Sequence, residues 1–443
     1  MLPPRPPASL ALALALAVCG LGAGPLAAQQ WDGEPSPAVE KASRLAGELQ
    51  YAEAVRLLEL ALLEGDTSEQ LRSDLAGYYQ LTGDLRKATA LTKPLADRDR
   101  PRPWHLLQIA GMLVDQGRLT EAEEYLRRFE GLKPEDPRAE RLRERGRRRA
   151  DVRPLYPGAR LDTFPHNTLA DDGFPFVRRD SAGVPDALYW ASDRRYGRSA
   201  SGWTGRAMVG LYAVPLGGDP AAGAAATPQR LEGRFNRGAV NVASPWLTPS
   251  GDTLFYSSNA RQLNRDHELN MQLYYVVRRR DGEAGGPDLG DWRDPVRLPT
   301  QPPDPSCVHP TLSADGRWLY YAADAADSRG GLDLYRVERR RDGSWGRPRN
   351  LGGTVNTDRH DAFPVAARDG VLYFASQGHA NLGGFDVFVT RERPDGTWVE
   401  PRNLGEPVNG EFDETGWLPV RLGYAYLVSD RDGGDDDLYE VRY

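Results

Sequence analysis

Residues 340–352, RRDGSWGRPRNLG, are written again almost letter for letter at 393–405 as RPDGTWVEPRNLG. A catalytic centre is needed once per chain, so a phrase that recurs points to architecture before chemistry. A third, looser copy extends the pattern. Trp292, Trp345 and Trp398 stand 53 residues apart, as do Pro295, Pro348 and Pro401, and Leu298, Leu351 and Leu404.

Working outward from W-x-x-P-x-x-L, each copy is preceded by an apolar strand pair: SPWLTPSGDTLFYSS (244–258), HPTLSADGRWLYYAA (309–323) and FPVAARDGVLYFAS (363–376). A third strand lies between: LYYVV (273–277), DLYRV (333–337) and DVFVT (386–390). Four short strands per unit, separated by turn residues, is the pattern of propeller blades. Two looser units flank these three. GFPFVRRDSAGVPDALYWASD (173–193) starts one, and GWLPVRLGYAYLVSD (416–430) with DLYEV forms the other. The count is five blades over 152–443.

The last unit has only three strands, and an unpaired edge in a closed ring is a liability. GARLDTFPHNTLADDGFPF (158–176) shares its layout of Leu, Asn, Asp and Pro with NLGGTVNTDRHDAFPV (350–365) and NLGEPVNGEFDETGWLPV (403–420). A strand near Leu161 is therefore expected to pair with residues 437–442 and close the ring.

A different period governs residues 36–150. Tyr51, Leu85 and Leu119 are 34 apart; so are Ala54, Ala88 and Ala122, and Ala42, Ala76 and Ala110. Small alanines at close helix approaches, with larger apolar residues between them, predict a helix pair per repeat. RAERLRERGRRRAD (138–151) reads as a basic, solvated capping helix. The fold class is thus α plus all-β: a helical solenoid followed by a five-bladed β-propeller.

Hydrophobic residues make up 40% of the chain and charged ones 27%, as in folded globular proteins. A net charge of −7 argues against a nucleic-acid partner. Residues 1–28 read as a signal peptide: Arg5, the apolar run SLALALALAVCGLG and a site after Ala28. Leu16-Ala17-Val18-Cys19 also resembles a lipoprotein box, so membrane association depends on lipidation of Cys19. Export to the periplasm or outer membrane is expected by either route. If Cys19 is removed, Cys307 is the one remaining thiol and no internal disulfide forms.

Residues 36–137 resemble tetratricopeptide repeats, with QGRLTEAEEYLRRFEGLKPEDP (116–137) the closest match. The unit Ser313, Asp315, Gly316, Leu319, Tyr320, then Gly330, Gly331, Asp333, Leu334, Tyr335, then Trp345, Pro348, Asn350, Leu351, Gly352 resembles the WD-like repeats of TolB-type propellers. Together they are similar to envelope proteins of Bacteroidota-type bacteria, of the OmpA-family and type IX secretion peptidoglycan-associated kind. The chain reads without their OmpA-like module, so peptidoglycan binding is not carried over.

Four acids near strand ends, Asp193, Asp361, Asp413 and Asp430, are the candidates for a glycosidase pair. Their recurring blade positions favour turn capping instead. The six histidines lack ligand-like spacing, and DRDGGDDD (430–437) reads as an exposed acidic turn, so neither a metal nor a cofactor is expected. Where the repeat breaks, in the long loops at 193–208 and 259–271, Arg194, Tyr196, Trp203, Arg261 and His267 are the candidate binding residues for a protein or glycan. The leading expectation is a non-catalytic envelope scaffold binding envelope proteins. The alternative is a periplasmic or secreted carbohydrate-binding protein or glycosidase on the same ring.

Overall fold

The computed structural model describes residue 31 and residues 34–443, apart from 48–50, 82–83, 195–206, 218–225, 238–239, 260–270, 279–291, 300–304 and 433–434. Residues 1–30, which include the expected signal peptide and Cys19, lie outside the described residues. So do Tyr196, Trp203, Arg261 and His267.

Seven helices come first: α1 (Pro37–Gly47), α2 (Tyr51–Leu63), α3 (Glu69–Leu81), α4 (Leu85–Ala96), α5 (Pro103–Asp115), α6 (Leu119–Leu132) and α7 (Arg138–Ala150). Each packs on its successor, and α7 also packs on α5. The six periodic alanines at 42, 54, 76, 88, 110 and 122 expose at most 1% of their surface. Larger side chains there would hold the helix axes apart. The basic α7 does more than face water. Its Arg143 donates to Glu123 (2.7 Å) and Glu130 (2.6 Å) of α6, and Ala139 is buried.

The remaining chain forms five four-stranded antiparallel sheets. Blade 1 holds β2 (Asp172–Arg179), β3 (Pro185–Ser192), β4 (Gly210–Pro215) and β5 (Gln229–Arg230). Blade 2 holds β6 (Val242–Leu247), β7 (Thr253–Ser258), β8 (Gln272–Val277) and β9 (Val296–Arg297). Blade 3 holds β10 (Cys307–Leu312), β11 (Trp318–Ala323), β12 (Asp333–Glu338) and β13 (Arg349–Asn350). Blade 4 holds β14 (Asp361–Ala366), β15 (Val371–Ser376), β16 (Asp386–Arg391) and β17 (Arg402–Asn403). Blade 5 takes β18 (Glu414–Arg421), β19 (Tyr424–Ser429) and β20 (Asp437–Arg442) from the end of the chain. Its outer strand is β1 (Arg160–Thr163), with Leu161 opposite Val441.

The recurring tryptophan phrase is the outer edge of blades 2, 3 and 4, though its strand is only two residues long. Trp292, Trp345 and Trp398 add one bridge each, to Arg278, Arg339 and Glu392. Their indoles fill the space between blades: Trp345 meets Phe255 of blade 2 edge-on at 5.9 Å, and Trp398 meets Tyr320 of blade 3 at 6.5 Å. With so short an outer strand, much of the edge pairing passes to an asparagine. Asn356 accepts from Leu334 N–H (2.8 Å) and donates to Leu334 C=O (3.0 Å). Asn409 holds Val387 and Asn236 holds Leu211 in the same way. A side-chain amide thus stands in for a backbone peptide unit on the third strand.

Every innermost strand carries a bulge at the axis. In each pairing two residues oppose one: 174–175, 244–245, 309–310, 363–364 and 416–417. Phe174, Ser244, His309 and Phe363 have left-handed backbones, with φ of 53–58°. Proline follows each of them. It disfavours the right-handed region for its predecessor and has no N–H to leave unpaired at the bulge. Gly416, with φ of 60°, replaces this device in blade 5, and a Cβ there would lie 2.8 Å from Val428.

Candidate active site

Antiparallel pairing brings three kinds of strand terminus to one end of the ring: first strands begin there, second strands end and third strands begin. Asp361, Ser376 and Asp386 are paired across blade 4, and Glu414, Ser429 and Asp437 across blade 5. The chain also leaves β3 and β7 at this end, toward the loops at 193–208 and 259–271.

Most acids here close turns. Asp193 accepts from Asp171 N–H (2.9 Å) and Asp430 from Asp413 N–H (2.9 Å); Asp413 accepts from Phe385 N–H (2.6 Å). Asn259 and Asp324 hold Asn241 N–H and Ser306 N–H in the equivalent places of blades 2 and 3. These contacts fix the approach to each inner strand, and they occupy three of the four acids named as a potential glycosidase pair.

Asp361 differs. Its Oδ2 accepts from the Thr357 N–H (2.6 Å) and hydroxyl (2.8 Å), while buried Oδ1 makes no hydrogen bond among the described residues. Burial pushes its pKa up to about 7, and the negative charge of Asp333 adds to the rise; the nearby Ser376 hydroxyl and the Thr357 contacts restrain it. Asp333, the first residue of β12, is also fully buried. It accepts from Arg329 N–H (2.9 Å), Gly330 N–H (3.3 Å) and Asn350 Nδ2 (2.8 Å).

A carboxylate pair thus spans the junction of blades 3 and 4, and the arrangement recurs around the ring. Glu414 of blade 5 faces Asp386 of blade 4, with burial pushing both well above the ordinary carboxylate range. Asp437 of blade 5 faces Asp172 of blade 1, and burial raises Asp437 to about 7. Two of the three inner-strand acids have a cation. Arg194 donates to Asp172 Oδ1 (2.6 Å) and His166 C=O (3.0 Å); Arg431 donates to Glu414 Oε1 (3.0 Å) and Val408 C=O (2.7 Å). In blade 4 the corresponding carbonyl, that of Val355, meets His379 Nε2 at 2.9 Å. No ion pair to Asp361 is formed among the described residues, so it departs from the repeat at the point where chemistry would need it to.

Arg194 is therefore placed at the inner-strand end, over the rings of Trp190 (5.3 Å) and Tyr212 (4.8 Å) and bonded to Asp172. The structure does not describe its four companion candidates, Tyr196, Trp203, Arg261 and His267. Sequence reasoning missed Asp333, whose role depends on a neighbour in the next blade. It also missed the axial residues, although Phe-Pro, Ser-Pro, His-Pro and Phe-Pro open four of the five units. No cluster of three or more His, Cys, Asp or Glu able to hold a metal occurs among the described residues.

No family model and no curated protein matches the chain. It is similar to several solved structures. One is an α-L-arabinofuranosidase from Lactobacillus brevis (13% identity, 62% of this chain and 90% of that one, TM-score 0.42). Another is a thermostable family-43 glycoside hydrolase (15%, 63% and 91%, TM-score 0.38). A third is an α-L-arabinanase of Penicillium chrysogenum in complex with arabinobiose (15%, 64% and 76%, TM-score 0.32). At such identities the likeness is one of fold. The expectations of a non-catalytic envelope scaffold, of a chain that is not an enzyme and of envelope-protein partners are corrected here. The similar structures named above are an arabinofuranosidase, a glycoside hydrolase and an arabinanase.

Proposed function

We propose that this chain is an exported, carbohydrate-active protein of the glycoside hydrolase type, working at the inner-strand end of its propeller. The observation that supports this reading is Asp361, a buried carboxyl group whose Oδ1 makes no hydrogen bond among the described residues, whose pKa burial raises, and which lies beside a second carboxylate, Asp333. In this reading Asp361 is the general acid. It gives its proton to the glycosidic oxygen as the bond from that oxygen to the anomeric carbon breaks. Asp333, oriented by two backbone N–H groups and Asn350, stabilises the positive charge that develops on the sugar. Water then supplies the hydroxyl group to the anomeric carbon, and its proton returns to the carboxylate.

Glycan contacts are assigned to the loops that break the repeat at this end, through Arg194, Tyr196, Trp203, Arg261 and His267. The helices are read as tetratricopeptide-type repeats, on the strength of their 34-residue alanine phasing. The test is turnover of a panel of aryl glycosides and polysaccharides, arabinan included. Asp361→Asn should lower kcat at least ~10²-fold while glycan binding, measured by calorimetry, persists. Wild-type protein that neither binds nor cleaves any member of the panel would overturn the reading.

A further inference from the structure

The axis of the ring carries polar chemistry that the proposed hydrolase reading does not use. A cavity of about 30 Å³ lies there, among Phe174, Ser244, Trp246, His309, Phe363 and Gly416. That volume has room for about two water molecules. His309 packs in a cluster of three rings: Phe363 stacks on it at 4.0 Å, Phe174 lies at 5.3 Å, and the two phenyl rings are 5.7 Å apart. Its Nδ1 accepts from the Phe363 backbone N–H at 3.2 Å. In the neutral ring the other nitrogen, Nε2, then carries the proton. Burial favours that neutral form, with the pKa of His309 lowered to about 3.

Nε2 is buried and makes no hydrogen bond among the described residues, and the same holds for Ser244 Oγ. The two residues are only 4% and 6% exposed, and both line the same cavity. A buried donor left unsatisfied keeps the full cost of its desolvation, so two in one small cavity call for a shared partner. The other side chains named above are apolar or, as an indole, a donor only. None can accept a hydrogen bond.

We infer that the axial cavity is a binding site for a small hydrogen-bond acceptor, a water molecule or a halide ion, held between His309 Nε2–H and Ser244 Oγ–H. A metal cation is excluded as the occupant in this tautomer, because Nε2 presents a proton and not a lone pair.

Crystals of the full chain grown in chloride-free buffer, then soaked in bromide, test this directly. A peak within ~3.3 Å of both Nε2 and Oγ supports the site. An anomalous bromide signal there assigns a halide, and a peak without it assigns water. A dry cavity overturns the proposal. Two variants extend the test: His309→Phe and Ser244→Ala should each weaken or abolish the peak, the second without disturbing the aromatic stack. Should either misfold, long-range ¹H–¹⁵N spectra of the wild type still decide. Protonated Nε2 at neutral pH supports the site, and protonated Nδ1 overturns it.

Discussion

Asn167 donates from Nδ2 to the Leu438 carbonyl at 2.8 Å and accepts at Oδ1 from the Leu438 N–H at 3.2 Å, joining residues 271 positions apart. It is the clasp that Asn236, Asn356 and Asn409 make in their own blades, supplied here by the segment that precedes blade 1. Together with β1 it turns an open arc of sheets into a ring.

Asn167→Ala should therefore destabilise the protein by about 1–3 kcal/mol, since the Leu438 N–H loses its partner and its carbonyl keeps only the Phe164 N–H. The equivalent change at Asn356 should cost a similar amount. Removing residues 158–168 should do far more, because blade 5 loses its outer strand. Urea unfolding of the three variants checks the order. A truncation no more harmful than Asn167→Ala would refute the account of closure.

Stability should fall as pH rises from 6.5 to 8. Burial raises Asp361 to about 7 and lifts Asp386 and Glu414 well above the ordinary carboxylate range, so in the fold they give up their protons only across this interval. In the unfolded chain they lose them near pH 4. Folding therefore takes up protons in that interval, and each pH unit weakens the fold. The buried histidines act in the opposite sense but at lower pH. His105 and His360, lowered to about 4, and His309, lowered to about 3, destabilise only below about 6.5, where the unfolded chain protonates them. The melting temperature should drop from pH 6.5 to 8, and drop less in Asp361→Asn. A rise over this interval would contradict the junction pairs.

Gly330 admits no side chain. A Cβ there would lie 2.2 Å from the Arg359 carbonyl oxygen, a backbone atom that cannot swing aside. Gly330→Ala should shift the β12 entry and cost about 1–3 kcal/mol or more. Because Gly330 N–H also bonds Asp333, the proposed glycosidase activity should fall more steeply than stability. Equal losses in a melting curve and a rate assay would separate packing from positioning.

Cys307 should be inert in the native protein. It is 2% exposed, and burial pushes its thiol well above the ordinary range, so almost no thiolate is present at neutral pH. A thiol reagent followed by peptide mapping should label it only after denaturant is added. Rapid labelling of the folded chain would show that blade 3 opens locally.

How much of this was legible beforehand depended on whether a feature repeats in sequence or only in space. The blades, the strand near Leu161 and the buried alanines announce themselves by period, because packing imposes the same residue type at the same interval. The pairing of Asp333 with Asp361 does not. Each belongs to its own blade's unit, and only the ring's closure places one blade's third strand beside the next blade's first. The axial bulges were half legible. Their X-Pro pairs are visible, but they are spaced 70, 65 and 54 residues apart because the intervening loops differ in length, and Gly416-Trp417 drops the proline altogether.

Those bulges have a further consequence. The residue at each axial bulge stands outside the regular ladder of its blade, held by a backbone turn that the following proline, or glycine, already favours. At the four bulges followed by proline, phenylalanine, serine and histidine all occur. The propeller thus carries four X-Pro sockets around one line, with the fifth held to glycine by Val428, and exchanging the occupants of those four could change the chemistry of the central shaft while leaving the pairing of the twenty strands intact.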